Sequence, residues 1–339
     1  MNLNKANSFE GKRILVTGGA GFVGSHLCES LLSKGASVIV ADNFITGRKK
    51  NLAHLLENKE IQLMDADITQ RLNIDGDLDG IFHMASPASP VDYARYPIET
   101  LRAGAMGADH ILRLAFEFSC PVLIASTSEV YGDPLQHPQK ESYWGNVNTI
   151  GPRGCYDESK RYQEALAMAY HRVHGVAIRI VRIFNTYGPR MRADDGRVVP
   201  NFCVQALTGE PLTVYGKGQQ TRSFCYVDDL VSGIVELFCS KHPEPVNLGN
   251  PCEYTVLDFA KKIIALTDSD SEIVFKPLPA DDPQVRCPDI ARAERLLGWK
   301  PQVSIEDGLG RTIDYFREAI AKNGGRPDRP QRERERTLA

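Results

Sequence analysis

The residues from Arg13 to Thr17 form a short apolar run that stops at glycines. Residues 25–33 then carry apolar side chains at helical spacing, and residues 36–41 are a second apolar run. That succession predicts strand, turn, helix, strand. Further runs at 62–64, 80–84, 121–126 and 177–184 predict strands, with helical patterns over 98–118 and 156–174 between them. Strands that are apolar on both faces and alternate with helices imply a doubly wound parallel sheet of the α/β class, covered by helices on each side. Ligands of such sheets bind beyond the carboxyl ends of the strands. From about Asn185 onward the pattern loosens into glycine- and proline-punctuated segments such as Thr208-Gly209-Glu210-Pro211, which predict a smaller covering region. The tail from Arg326 is too polar to pack and is expected to be disordered.

Bulk properties narrow the function classes. The chain has 339 residues, 24% charged and 42% hydrophobic, with a net charge of -3. No basic excess exists to neutralise a polyanion, so a nucleic-acid surface is not expected. No apolar run has the length of a membrane span, and residues 1–10 lack the pattern of a signal peptide, so a cytoplasmic location is expected. The eight cysteines, at 28, 120, 155, 203, 225, 239, 252 and 287, show no CxxC spacing. They predict neither a metal site nor a disulfide framework.

Three motifs carry chemistry. Gly18, Gly21 and Gly24 follow a strand and open a helix, a spacing that lets backbone approach a pyrophosphate at the positive helix end. Asp42, at the end of the next strand, is placed to bind an adenosine ribose and to repel a 2′-phosphate, which favours NAD over NADP despite the nearby Arg48. Asp67 lies past the third strand, where a carboxylate can hold the adenine amino group or serve as an ordinary solvated turn. Tyr156 and Lys160 stand at i and i+4, hence on one helix face, downstream of the Ser/Thr strand end at Ser126-Thr127-Ser128. A free tyrosine has a pKa of about 10. An ammonium and an oxidised nicotinamide beside it, both positive, would make it a base for a sugar hydroxyl while hydride leaves the same carbon. His83 and His137 are read as structural, because tyrosine already supplies the base.

The glycine turn, Asp42-Asn43-Phe44, Ala85-Ser86-Pro87-Ala88-Ser89-Pro90, Ser126-Thr127-Ser128-Glu129-Val130-Tyr131-Gly132, and Tyr156-Asp157-Glu158-Ser159-Lys160 together resemble the extended short-chain dehydrogenase/reductases. More narrowly, they resemble the UDP-glucuronate decarboxylases, with Arg182-Ile183-Phe184-Asn185-Thr186-Tyr187-Gly188-Pro189-Arg190 and Asp281-Asp282-Pro283 further along. The resemblance runs from Arg13 to about Phe316. It implies a Rossmann-like NAD-binding domain over 11–185, to which later segments return, a substrate-binding region over 186–322, and a tail over 323–339. It implies NAD held by Gly18, Gly21, Phe22, Val23, Gly24, Asp42, Asn43, Thr46, Gly47, Asp67, Ile68, Met84, Ser86, Tyr156 and Lys160. UDP-glucuronate is the implied substrate and UDP-xylose the implied product, formed through a 4-keto intermediate. Tyr156, Lys160, Thr127 and Glu129 are the implied catalytic set. Pro90, Tyr93, Asn185, Arg197, Tyr215, Arg222 and Arg286 would meet the substrate, with Tyr215 on uracil and Arg222 and Arg286 on the diphosphate. For Glu129 two roles stay open, one at the sugar and one in holding its loop. A homodimer paired through the helices at 101–118 and 156–174 is also implied.

Two departures stand out. Gly104-Ala105-Met106-Gly107-Ala108 lies where the family pattern carries asparagine in NxxGT, and Ser159 stands where close relatives carry glycine. The first is expected to affect rate or local rigidity. Two rival readings remain on the residues. A nucleotide-sugar 4-epimerase or 4,6-dehydratase shares the oxidation step, although a dehydratase presents an acid where this chain has Ser128. A noncatalytic NAD-binding sensor would have no need of Tyr156, Lys160 and Thr127.

Overall fold

The computed structural model describes residues 9–277 and 285–325. Its first half contains β1 (Arg13–Thr17), α1 (Phe22–Ser33), β2 (Ser37–Asp42), α2 (Ala53–Glu57), β3 (Ile61–Asp65), β4 (Gly80–His83), α3 (Pro90–Arg95), α4 (Pro97–Arg102), α5 (Ala108–Glu117), β5 (Val122–Thr127), α6 (Gly154–His174) and β6 (Ile178–Ile183). Beyond it come β7 (Thr186–Tyr187), α7 (Val198–Thr208), β8 (Leu212–Tyr215), β9 (Thr221–Ser223), β10 (Cys225–Tyr226), α8 (Val227–Cys239), β11 (Pro245–Leu248), β12 (Glu253–Thr255), α9 (Val256–Thr267), β13 (Ile273–Lys276), α10 (Ala291–Leu297) and α11 (Ile305–Lys322). The resembling segment at 281–283 and the tail from Arg326 lie outside the described residues.

Seven strands form one sheet in the order β11, β6, β5, β4, β1, β2, β3, and every pairing in it is parallel. The α/β doubly wound class is therefore the observed one. Strand order reverses between β1 and β4, so the loops leaving their carboxyl ends diverge and open a crevice. Because side chains alternate across a strand, each strand feeds two cores. Ile14, Val16, Phe82, Leu123 and Val181 pack on one face with Leu27 and Leu31 of α1 and Leu230 and Ile234 of α8. Leu15, Ile81, Val122, Ile124 and Ile180 pack on the other with Ile111 and Leu112 of α5 and Ala167 of α6. The first core continues into Phe202, Leu212, Phe224, Phe259, Trp299 and Phe316 of the later segments. Those segments are thus fastened to the sheet by shared apolar burial, and β11 enters the sheet itself.

The helix expected over 98–118 is broken. A π turn over Ala103–Gly107 separates α4 from α5. The cause is close packing at two glycines. A Cβ on Gly104 would lie 2.6 Å from Ser159 Cβ, and one on Gly107 would lie 2.6 Å from Ile68 Cδ1. Inserting one residue per turn lets both glycines face their neighbours, and π turns of this kind recur near functional sites. Helix α1 begins earlier than its apolar periodicity suggests, at Phe22, because Gly21 already serves as its N-cap residue.

Gly104→Asn should therefore force α4 away from α6. Urea unfolding is expected to show a loss of about 1–3 kcal/mol. Ser159→Gly in the same chain should recover part of that loss, the backbone oxygen of residue 159 remaining 2.8 Å from the new Cβ. An unchanged unfolding midpoint in the single variant would contradict the packing argument.

Candidate active site

The turn between β1 and α1 is shaped by its glycines. Gly18 has φ +71°, and a Cβ there would stand 2.7 Å from Ala85 Cα at the end of β4. A Cβ on Gly24 would fall 2.2 Å from the Gly18 carbonyl oxygen, so only glycine lets α1 start this close to β1. Gly21 donates its N–H to Gly18 O, and no side chain caps α1. A Cβ on Gly21 would meet nothing but that same carbonyl within 4 Å. The helix thus presents bare N–H groups and its positive end to an open space, which fits a pyrophosphate. Phe22 and Val23 are its first residues, half-buried against the sheet-face core.

Asp42 closes β2 beside that turn. Its carboxylate accepts N–H bonds from Ala20 at 3.0 Å and Phe44 at 2.8 Å, and burial raises its pKa. Gly47 packs on it so tightly that a Cβ would come within 2.7 Å of Asp42 Oδ1. Asn43 donates to Asp67 Oδ2 at 3.3 Å, while the other oxygen of Asp67 accepts from Thr69 N–H at 2.8 Å. Thr46 and Gly47 are half-buried in the same loop, and Arg48 is held against Asp194 at 3.4 Å. Ile68 is buried under Gly107. Met84 and Ser86 follow β4, in the segment whose backbone packs against Gly18. These residues line one continuous edge of the sheet, from β3 to β4, and suit an extended dinucleotide.

The chemistry sits at the neighbouring strand end. Thr127 ends β5, accepts Glu129 N–H with its Oγ1 at 3.2 Å, and lies close enough to the Tyr156 hydroxyl to pull its pKa down. Tyr156 is buried, and its ring stacks on Tyr93 at 5.1 Å and 10°. Lys160 Nζ lies 6.0 Å from the Tyr156 ring centroid and donates to Ala125 O at 2.7 Å and Gln163 Oε1 at 3.2 Å. The trio is therefore assembled, but the electrostatics differ from the simple expectation. Burial pushes the Tyr156 phenol up to about 12, with Thr127 pulling the other way. Burial also pushes Lys160 down to about 8. On the chain's own charges Tyr156 is a neutral phenol at pH 7, because its burial outweighs the Thr127 interaction; the positive nicotinamide that the expectation also invoked comes only with bound cofactor.

Beyond Thr127 lies a knot of charge. Glu129 Oε2 accepts from Arg153 at 2.5 Å and Arg286 at 3.3 Å. Burial alone would raise its pKa, yet the two guanidiniums outweigh burial and hold the carboxyl well below its usual range. Arg286 is 2% exposed, and its other hydrogen bonds go to Ser128 O and Gly132 O. The sequence placed Arg286 at a diphosphate; in the fold its guanidinium also braces the Ser128–Tyr131 turn and meets Glu129. Arg222 bonds the backbone of Thr221 at 2.8 Å and lies near enough to Glu129 to help lower its pKa. Arg197 is gripped by Asp195, at 2.7 Å for one of two bonds, and its charge reaches Tyr156. Pro90 opens α3 after the Ser89 cap, and so places Tyr93 on Tyr156. Asn185 accepts Cys225 N–H through its backbone at 2.9 Å, just past β6. Tyr215 is exposed at the end of β8.

Sequence reasoning missed Arg153, which pairs with Glu129 and lies 5.8 Å from the centroid of the Tyr93 ring. Its signal was simple proximity, three residues before Tyr156. Asp157 was missed as well. It is buried, one carboxylate oxygen has no hydrogen-bond partner, and burial followed by the charge of Glu129 pushes it up to about 7. His83, set aside as structural, bonds Thr17 Oγ1 at 2.8 Å and is pushed down to about 3 by burial, hence neutral. His137, Glu253 and Cys287 bring their donor atoms within 4.8 Å of one another, a juxtaposition that cysteine spacing did not suggest. His137 bonds Glu253 at 2.8 Å, Thr221 donates to the other Glu253 oxygen at 2.6 Å, and Cys287 donates to Pro251 O.

The raised pKa of Asp157 has a sign. The folded state prefers the neutral acid, so its contribution to stability is full below the unfolded value near 3.8 and is lost as pH rises through about 7. Asp157→Asn escapes that loss. Urea unfolding at pH 4 and pH 8 is expected to show the variant gaining on the parent by roughly 1–3 kcal/mol at the higher pH. A difference independent of pH would refute the assignment.

Comparison with known proteins agrees with this geometry. Residues 14–249 match the family described as NAD dependent epimerase/dehydratase. UDP-glucuronic acid decarboxylase 1 of Arabidopsis thaliana is 54% identical over 308 residues, 91% of this chain and 70% of the relative. UDP-glucuronic acid decarboxylase 1 of Xenopus tropicalis is 53% identical over 309 residues, 91% of this chain and 73% of the relative. Among solved structures, UDP-glucuronic acid 4-epimerase from Bacillus cereus, in complex with UDP-glucuronic acid and NAD, superposes with a TM-score of 0.80. It is 30% identical and covers 89% of this chain and 98% of its own. With an uncapped glycine turn, a carboxylate closing β2 and an assembled Thr, Tyr and Lys trio, this chain belongs to the NAD dependent epimerase/dehydratase family and, within it, to the UDP-glucuronic acid decarboxylases.

Proposed function

We propose that this enzyme converts UDP-glucuronate into UDP-xylose and carbon dioxide in one closed redox cycle. When bound, NAD supplies a positively charged hydride acceptor for the sugar C4 and later returns that hydride. The chain's residues do the rest. Beside that positive charge and the Lys160 ammonium the Tyr156 phenol gives up its own proton, and as phenolate it takes the proton of the C4 hydroxyl while Thr127 holds the same oxygen by a hydrogen bond. The resulting C4 ketone lies beta to the C6 carboxylate. The C5–C6 bond then breaks, carbon dioxide leaves, and the bonding pair moves onto the C4 oxygen as an enolate. Tyr156 O–H and Thr127 O–H stabilise that oxyanion as donors. A proton added at C5 and the Tyr156 proton restored to the C4 oxygen complete UDP-xylose.

The observation that carries the decarboxylase reading is the state of Glu129. Held ionised by Arg286 and Arg153 just past Thr127, it cannot donate a proton to a departing hydroxyl near neutrality. Ser128, between them in sequence, carries no acidic proton either, which disfavours a 4,6-dehydratase. The identity of the relatives supports the same substrate. For the binding residues, we propose that Arg222 and Tyr215 serve the diphosphate and uracil, that Arg197, Asn185, Tyr93 and Pro90 border the sugar, and that Arg286 acts through Glu129.

Incubation with UDP-glucuronate, without added NADH, should release carbon dioxide and UDP-xylose in equal amounts. A 4-epimer that keeps its carboxylate would overturn decarboxylation. Tyr156→Phe is expected to lower turnover by at least about 1000-fold, within the usual worth of a general base, while NAD binding stays within a few-fold. Full activity in that variant would remove Tyr156 as the base.

We also propose a homodimer. What supports it is apolar exposure on packed neighbours: Ile98 and Leu101 on α4, Met106 on the π turn and Tyr162 on α6 are all solvent-facing in the single chain. Light scattering should give twice the chain mass, and Leu101→Glu with Tyr162→Glu should halve it. A monomeric parent protein would sink this reading.

A further inference from the structure

Lys160 is 3% exposed, and an ammonium with three protons buried to that degree needs acceptors. Two are provided, Ala125 O and Gln163 Oε1. The first is a backbone carbonyl of β5. The second is a side chain on Lys160's own helix, three residues on, and Gln163 is itself 1% exposed. The other neighbours cannot take its place. Glu164 raises the Lys160 pKa through space, but its carboxylate is already paired with both Arg182 at 2.7 Å and Ser126 at 2.5 Å. His83, at the end of β4, is neutral and bonded to Thr17. The Tyr156 hydroxyl lies close to Thr127. From the π turn that packs on α6, Gly104 brings no side chain at all and faces Ser159.

We propose that Gln163 is a positioning residue for Lys160: its side-chain carbonyl holds the ammonium in place against β5 and keeps it charged beside Tyr156. This rests on reading Lys160 as the cation that assists the base. In a buried site a charge-assisted bond at 3.2 Å is strengthened by the low local dielectric, and removing the acceptor leaves the charge with Ala125 O alone. Loss of the ammonium's charge with rising pH would then come earlier, and the alkaline fall in activity with it.

Two substitutions of similar length separate this role from packing. Gln163→Met removes the acceptor, and Gln163→Glu turns it into a carboxylate. The Lys160 signal is followed by NMR in lysine-labelled, NAD-loaded protein, assigned by its absence in Lys160→Met. Its titration midpoint is expected to move down by about one pH unit in Gln163→Met, a tenfold change in the ratio of charged to neutral lysine, and up by a similar amount in Gln163→Glu. The alkaline limb of hydride transfer, read at 340 nm on mixing with UDP-glucuronate, should move in the same two directions. Should the Met variant fail to fold, Gln163→Asn, whose carbonyl is withdrawn by one methylene, replaces it with the same expected sign. Midpoints that stay put, or that move the same way in both variants, overturn the proposal. Opposite movements of the midpoint with an unmoved rate profile support the part played by Gln163 and overturn Lys160's help to the base.

Discussion

Two charges of opposite sign, the buried Lys160 ammonium and the half-buried Glu129 carboxylate, act near Tyr156, and the chain satisfies each with partners of its own. Neither is paired with the other. The ammonium is met by carbonyl oxygens from β5 and α6, whereas the carboxylate is met by guanidiniums from residues 153 and 286. Satisfied separately in this way, the two charges stay unpaired with each other. A direct ion pair would have quenched the positive potential that a phenol needs in order to release its proton.

The partners that satisfy these charges come from distant parts of the chain, which ties the site to the fold. Arg286 reaches the Ser128–Tyr131 turn from beyond β13, and Ser223 accepts that segment by donating to Arg286 O at 3.2 Å. Under the same turn runs a second polar network. Ser126 and Arg182 share Glu164, Arg182 also donates to Tyr131, and Tyr131 donates to Asn247 of β11 at 2.8 Å. These bonds join the ends of β5, β6 and β11 to the middle of α6. A strand end fixed from four directions leaves Thr127 little freedom, which is what an oxyanion donor requires.

The cofactor half is organised by a different constraint, the close approach of backbone to backbone. Gly18 and Gly24 are positions where a single added carbon would collide with main-chain atoms, and the uncapped start of α1 follows from that compression. Electrostatic attraction for a pyrophosphate is thus a by-product of steric necessity at the β1 to α1 turn.

The amino-acid sequence by itself determined the alternation of strands and helices, the glycine turn, the carboxylate closing β2 and the shared face of Tyr156 and Lys160, because each depends on neighbours within one or two helical turns or on the apolar period of a single element. The spacing that makes Tyr156 the candidate base was legible for the same reason. The electrostatic state of that tyrosine was not, since burial is a property of the assembled protein and on the chain's own charges raises the Tyr156 pKa. Only the tertiary structure decided that Arg286 serves Glu129, that Arg153 and Gln163 belong to the site, that the long helix breaks into a π turn at Gly104, and that β11 completes the sheet. Each of those outcomes pairs residues far apart in the chain or depends on how closely two helices can pack, and no local pattern encodes either distance.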